Sequence, residues 1–570
     1  MKTIRTDVLI LGMGGAGQLA ALNAYDADPD LDILIVTKAI QGKGGCSRMV
    51  QGGFNVVLND ADSHEKHLTD TLKGGKFINN QDLARTLVEQ ATPTIKEMEN
   101  KYGCFFDRNA DGTIHQKPFA GQSFDRTVHK GDLTGIEIIS RATEQVMKRK
   151  IPVLEEHRAL DLLYDHSGEE ITGALLLDIR HGEFLVVEAR ATLMVTGGGP
   201  TQYNFFAPGP EKTVDGLGML YRAGARMRDM EMVQFHPTGL IIPGSVVAGA
   251  LLEEGLRGAG AHLFNANHER YMMRYAPGVN ERATRDLVSR SAYLEIQDGR
   301  GFENGGVHIA AFHLGPDFVE QNFPGMCERC RLFGYDLARK EVPVSPTAHY
   351  VMGGAAIDER CRTSKERLFC AGEDSGGVHG ANRLGGNGIA DSCVFGRLAG
   401  KSLAAYLKEN TSGPPETARG LVKELRDKYE SPLGHAQGSD LYGIRDSLRD
   451  MNWDKVGVAR NGHDLAEALQ EIKDYEQAAA DVGVQGVRAY NMVWNDFISF
   501  LSMLDVSKMV ATSALSRTES RGAHFRLDYQ ERDDDNGLYN IFLQRGEDGE
   551  PELERQPVEL KYLKPSDVDN

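Results

Sequence analysis

Blocks of consecutive apolar residues, each closed by glycine, set the rhythm of the N-terminal segment. Residues 6–11 (TDVLIL) read as a buried strand and GMGGAG follows at 12–17. Residues 18–25 then carry a helical pattern, and 32–37 (DILIVT) read as a second buried strand. Strand, glycine turn, helix and strand at this spacing predict a dinucleotide-binding unit. In it Gly12 permits the tight turn, Gly14 lets backbone approach a pyrophosphate, and Gly17 lets the helix pack on the strand. Gly15 and Ala16 belong to the same turn, and the phosphate charge would sit on the N-terminus of the helix that follows. The second strand ends in Thr37-Lys38 and not in the acid that usually binds a ribose hydroxyl, which counts against a simple NAD site.

Two further glycine clusters recur downstream. One, Thr196-Gly197-Gly198-Gly199, follows a strand-like run at 191–195. The other is CAGEDSGGVHGANRLGGNG at 370–388, followed by a helical run to Leu407. A nucleotide domain assembled from 1–235 and 350–405 leaves 236–349 as an inserted domain. Beyond Pro414 glycine thins out, and 416–430, 440–452, 463–480 and 488–516 are helix-patterned, so 406–516 is read as a helical domain. The remainder, 517–570, is polar and acidic, and Pro551 and Pro557 suggest an irregular tail.

Composition sharpens this picture. The chain has 64 glycines among 570 residues, where average usage would give about 40. Of these, 21 fall in the clusters at 12–17, 42–53, 197–199, 353–354 and 372–388, so the surplus marks a cradle. A net charge of −18 argues against nucleic acid as a partner. Seven cysteines without a paired pattern fit a reducing, cytoplasmic compartment. Asp7 breaks the resemblance of the N-terminus to a signal peptide, and the apolar stretch 239–252 is too short to span a bilayer. No direct membrane span is expected, and any membrane association would come through partner subunits.

Several strings, in one order along nearly the whole chain, carry a resemblance to a known family. They are GMGGAG (12–17), QGGFN (51–55), HLTDTLKGG (67–75), VTGGG (195–199) and QFHPTG (234–239). RDLVSRS (285–291), PTAHYVMGG (346–354), HGANRLGGNG (379–388) and RTESRGAH (517–524) complete the set. Together they resemble the flavoprotein subunit of succinate dehydrogenase and fumarate reductase, and its relative L-aspartate oxidase. The resemblance implies an α/β fold: a discontinuous Rossmann-like FAD-binding domain, an inserted α+β capping domain, a C-terminal helical domain and an irregular tail. It also implies FAD as cofactor and a small dicarboxylate-like substrate reacting between the first two domains. Besides the turn at 12–17, it places Thr37, Lys38, Cys46, Ser47, Gln51, Gly52 and Gly53 at the cofactor. Thr196, Gly197, Gly198, Asp215, His349, Tyr350, Gly372, Glu373, Arg383, Gly386, Asn387, Gly388 and Ile389 join them. Glu373 matches the acid that reaches the ribityl hydroxyls.

Interconverting a carboxylate-conjugated alkene and its saturated form needs hydride exchange with flavin, an acid/base and cations for the carboxylates. Arg383 resembles the carboxylate-binding arginine. His236 and His349 match two substrate-binding histidines, as imidazolium or as neutral donors. Arg285 matches the family's proton donor. Because arginine is a poor acid, a relay with a carboxylate is required, for which Glu254 and Asp286 are the candidates.

Two departures stand out. Cys46 occupies the place of the histidine that bonds flavin in many members, so FAD is expected to be held without a histidyl bond. Glu253-Glu254 stands where a Thr-Glu pair is usual, and an added carboxylate there is unfavourable unless protonated or paired with a cation. The pair Cys327 and Cys330 lacks further ligands nearby and is read as two ordinary thiols, with no metal site. The leading expectation is the catalytic subunit of a complex that passes electrons to an iron–sulfur subunit. The alternative is a stand-alone enzyme like L-aspartate oxidase or soluble fumarate reductase, acting on a modified dicarboxylate.

Overall fold

A computed structural model of the chain describes all residues except 208, 210, 436, 437, 569 and 570. Its central sheet has seven strands. Lys2–Leu11 pairs in parallel with Ile33–Val36 on one side and Glu183–Met194 on the other. Val153–Leu154 extends one edge, and Leu368–Cys370 adds in parallel beside Glu183–Met194. An antiparallel meander, His157–Tyr164 and Ile171–Asp178, completes the sheet. Val8, Leu9, Ile10 and Leu11 are all buried, as expected of a parallel strand covered on both faces. The helix Gly15–Ala27 lies along the helix Asn387–Glu409, where an added Cβ at Gly396 or Gly400 would run into the backbone of Ala16 or Ala20. That approach joins the first and last segments of the larger domain.

The smaller domain is built on a four-stranded antiparallel sheet in the order Val233–Leu240, Val342–Val351, Val307–Ala310 and His262–Phe264. Its own core includes Leu256, Leu263, Val288, Ile309, Met326 and Val344. The first two strands carry the chain out of the larger domain and back again. Register shifts interrupt their pairing at Gln234/Phe235 and between His236 and Gly239. Such bulges re-aim side chains, and both flank residues of the site below.

The helices Leu421–Glu430, Leu441–Lys455, Gly462–Ala480 and Met492–Ser516 follow. Among the described residues Met492–Ser516 is the one helix long and apolar enough to cross a membrane, but most of it is buried inside the protein, packed on the helices Gly462–Ala480 and Asp215–Arg222. The tail differs in part from the irregular reading. Residues 517–538 are loop and turn, but Tyr539–Arg545 and Pro551–Pro557 form a hairpin that pairs with Met227–Arg228 in a five-stranded sheet. Pro551 and Pro557 bracket the outer strand, an edge position where a missing N–H costs no ladder bond. RTESRGAH folds inward. Arg517 binds Glu231 and Glu519, Arg521 binds Glu519 and the Lys76 carbonyl, and Ala523 N–H donates to the Ala381 carbonyl. The tail thus braces the loop at 379–388.

Candidate active site

Gly12 has φ +121°, and a Cβ there would lie 2.1 Å from the Val195 carbonyl oxygen. A Cβ at Gly17 would lie 2.1 Å from Gly12 O, so both positions exclude any side chain. Gly14 caps the helix Gly15–Ala27 and Gly386 caps the helix Asn387–Glu409, neither with a side-chain hydrogen bond. The two helix starts meet: the Ile389 side chain lies 3.5 Å from the Cβ position of Gly15. Two adjacent helix N-termini over a glycine floor are suited to a diphosphate. Ser47, on the turn Cys46–Met49, accepts a hydrogen bond from Gly15 N–H (3.1 Å) at the rim of this cradle.

At the end of the second strand Lys38 donates to Asp215 (2.7 Å) and Thr213 (3.0 Å), and the other Asp215 oxygen takes Arg158 (2.5 Å). An acid from another helix thus meets the residue that follows Thr37. The second glycine cluster is tied down by two acids. Asp374 accepts from Thr196 Oγ1 and Gly197 N–H, and burial pushes its carboxyl up to about 6. Glu373 accepts from Gly199 N–H and Val351 N–H (3.1 Å each) and pairs with Lys212. Gly198 lies against Glu373, and Gly372 lies beside Ala16. The Asn387 side-chain oxygen meets Asn55 Nδ2 and His67 Nε2, and its amide nitrogen donates to Thr71 Oγ1.

The substrate side forms where the two domains meet. Arg285 binds one oxygen of Glu254 through Nε (2.7 Å) and Nη2 (2.6 Å), and donates from Nη1 to Gln234 (3.2 Å). Behind Glu254, Arg257 lies 3.9 Å from the carboxylate; its Nη1 donates to the Glu281 carbonyl, while its Nε and Nη2 are buried without partners. Burial pushes the Glu254 carboxyl up, but the guanidinia of Arg285 and Arg257 outweigh it and hold the group below its ordinary value. Asp286 does not contact Arg285; one of its oxygens is buried without a partner. Of the two relay candidates, the geometry brings only Glu254 to Arg285.

Arg383 stacks on the Tyr350 ring at 4.4 Å, and its Nη2 donates to His349 Nε2 (3.0 Å). Burial and the repulsion of Arg285 lower its guanidinium to about 10. The His236 and His349 rings meet edge to face at 5.5 Å. His236 Nδ1 accepts from Thr238 N–H (3.3 Å), which leaves Nε2 as the donor. Burial first, then the surrounding guanidinia, hold both imidazoles well below 6.5. Of the two protonation states considered above, both histidines are therefore neutral donors.

The loop at 51–53 and the first half of the chain close the other wall. Arg329 donates to the Gln51 side-chain oxygen, with the amide turned to face it, at 2.9 and 3.0 Å. Phe119 packs on Gly52, and Gly53 lies against the Val128 carbonyl. Lys117 binds Glu253 (2.8 Å), so the added carboxylate has its own cation. Cys327 and Cys330 lie three apart on the helix Pro324–Leu332; both are buried free thiols, and burial pushes Cys330 up to about 12.

Among the residues of this cluster that escaped sequence reading as site residues are Lys117, Phe119, Lys212, Gln234, Arg257 and Gly385. Gln234 and Gly385 sit inside strings already singled out, and Arg257 lies one helical turn beyond Glu254. Nothing near Lys117, Phe119 or Lys212 in the sequence signals their place.

The comparisons with known proteins agree with this architecture. An FAD binding domain family model matches residues 7–389, and a fumarate reductase flavoprotein C-terminal model matches 445–569. An uncharacterized FAD-dependent oxidoreductase of Methanocaldococcus jannaschii is 40% identical over 93% of this chain and 94% of its own. One of the subunits of the fumarate reductase (CoM/CoB) of Methanothermobacter marburgensis is 38% identical over 92% of this chain and 94% of its own. In structure, the FrdA chain of E. coli quinol fumarate reductase matches with a TM-score of 0.93 at 32% identity, covering 99% of this chain and 98% of that one. The chain belongs to the fumarate reductase and succinate dehydrogenase flavoprotein family and is an FAD-dependent oxidoreductase.

Proposed function

We propose that this chain interconverts a small dicarboxylate and its unsaturated form, succinate- and fumarate-like, as the flavoprotein subunit of a complex. The observation that carries the reading is the meeting of four cations and two carboxylates where the two domains meet. Arg285 and Arg257 pair with Glu254, Lys117 pairs with Glu253 and Arg383 lies against His349, leaving a fixed charge of about +2 with both histidines neutral, which suits a dianion. FAD fits the cradle of paired helix N-termini and glycines, where it would supply hydride exchange.

The chain's own residues do the rest. Arg383 and His349, hydrogen-bonded to each other, would hold one carboxylate, and His236 Nε2 would donate to a second oxygen and polarise the double bond. Arg285 would deliver the proton to the carbon beside the one that takes hydride, with Glu254 returning a proton to it and Arg257 supporting Glu254 from behind. The flavin is held without a covalent bond: Cys46 stands in the linking position, and burial raises its thiol, leaving little thiolate to react. Electrons would pass to an iron–sulfur partner, a reading supported by relatives named as subunits, and the chain would be cytoplasmic or peripheral to a membrane through such partners.

With Glu253 paired to Lys117, the added carboxylate does not call for a modified dicarboxylate. The test is a screen of the photoreduced flavin for reoxidation by fumarate, iminoaspartate and related unsaturated acids. Reoxidation by fumarate is expected; hydrogen peroxide production from aspartate by the isolated chain would favour the oxidase reading instead.

A further inference from the structure

Glu253 and Glu254 are adjacent and both buried, yet they serve different partners. Glu254 faces the guanidinia of Arg285 and Arg257, whereas Glu253 turns towards Gly52 and meets Lys117 from the strand Gln116–Lys117. Glu253 belongs to the smaller domain and Lys117 to the larger one, so the contact bridges the interface. Phe119 connects it to the reacting groups: its ring lies 2.5 Å from the Cβ position of Gly52 and 2.8 Å from that of Gly385, which in turn faces Glu254 and Arg285. The Lys117 ammonium is 5.6 Å from the centre of the same ring. The pair therefore lies one aromatic ring away from the reacting groups and is not a distant surface contact; the Lys117 side chain is 20% exposed and that of Glu253 7%.

We propose that the Lys117–Glu253 pair is a specificity-determining element: its two charges cancel beside the reacting groups, keep the fixed charge near +2 and thereby select dicarboxylates over mono- and tricarboxylates. The inference rests on the reading above and adds the residues that set the charge class of its substrate. If Glu253 were neutral, Lys117 would be free to hold a third carboxylate. If Lys117 were neutral, Glu253 would repel a second one. A unit charge within about 10 Å of a bound anion changes its affinity by roughly tenfold at the effective dielectric of such a site.

The experiment uses the flavin-loaded protein, photoreduced and mixed with crotonate, fumarate or trans-aconitate, which carry one, two and three carboxylates. The wild type should be reoxidised fastest by fumarate. Glu253→Gln should raise the trans-aconitate to fumarate ratio of kcat/KM by roughly tenfold, and Lys117→Gln should raise the crotonate to fumarate ratio by a similar factor. The double variant restores the charge balance and should return both ratios towards wild type. If Lys117→Gln alone fails to retain flavin, Glu253→Gln compared with the double variant carries the test. A trans-aconitate to fumarate ratio within about twofold of wild type in Glu253→Gln, or one as high in the double variant as in Glu253→Gln, would overturn the inference while leaving the proposed function intact. Failure of all three acids to reoxidise the wild type would overturn both.

Discussion

Gly385 offers a sharp test of the chamber because it can be perturbed without touching a charge. A methyl group there would lie 2.7 Å from Glu254 Oε2, 2.8 Å from Phe119 Cδ2 and 3.1 Å from Arg285 Nη2. Ordinary contact begins near 3.4 Å, so Glu254 must retreat by about 0.7 Å. The backbone cannot give way instead, because the Gly385 carbonyl is held by Asn55 Nδ2 (2.7 Å) and Gln122 Nε2 (3.0 Å). Overpacking of this kind costs about 1–3 kcal/mol, and a displacement approaching 1 Å at a proton-transfer group costs on the order of 10²-fold in rate. Gly385→Ala should therefore bind FAD normally and lose roughly 10²-fold in kcat for fumarate reduction, with a smaller change in KM. The assay is stopped-flow reoxidation of the reduced flavin, with FAD content read from the visible spectrum. A Gly385→Ala protein with full flavin and wild-type kcat would refute the placement of Arg285 and Glu254 at the reacting carbon.

Other outcomes follow from the same geometry. Arg383→Ala and Arg285→Ala should each keep FAD and lower kcat/KM by at least about 10²-fold, since each removes charge-assisted hydrogen bonds worth about 1.5–3 kcal/mol apiece; normal turnover in either would sink the assignment. With His236 and His349 neutral, kcat/KM should show no limb near pH 6.5, and a limb there that vanishes in His349→Asn would contradict their neutrality. Because both histidines have folded values below the unfolded 6.5, the unfolded chain takes up protons first. Their contribution to stability is thus present above about pH 6.5 and declines as pH falls, which acid titration of thermal unfolding can check. Denaturing and precipitating the protein should release all flavin, from the wild type and from Cys46→Ser alike; flavin left on the wild-type chain would show a covalent bond.

Much of the fold was legible because the buried strands and the long helices declare themselves by composition and period. Residues 8–11 and 33–36 are continuous apolar runs closed by glycine or polar residues, and the C-terminal helices carry their own N-caps: Asp440, Asn461 and Asn491 each accept a backbone N–H from the first turn. The hairpin at 539–557 was not. Its outer strand, PELERQP, is exposed along most of its length, so no apolar alternation marks it. What holds it in place is backbone pairing to the neighbouring strand, which leaves no trace in residue type.

The same division runs through the site. Gly12 and Gly17, whose role depends on local backbone, could be read from spacing, whereas Arg285, His236, His349 and Arg383 were pointed out by the family resemblance of their motifs. Residues whose role depends on charge balance could not be read in either way, because balance is a property of partners far apart in the chain. Glu253 alone reads as a misplaced acid, and only the fold, which delivers Lys117 from 136 positions away, turns it into half of a neutral pair. Asp215 does likewise for Lys38 across 177 positions, and Lys212 for Glu373 across 161. In each case the cost of burying one charge is met by a partner from another element. The chamber can therefore carry an excess of positive charge at Arg383, Arg285 and Arg257 only because the other buried charges around it are cancelled locally. That excess, and not any single arginine, is what a dianionic substrate would meet.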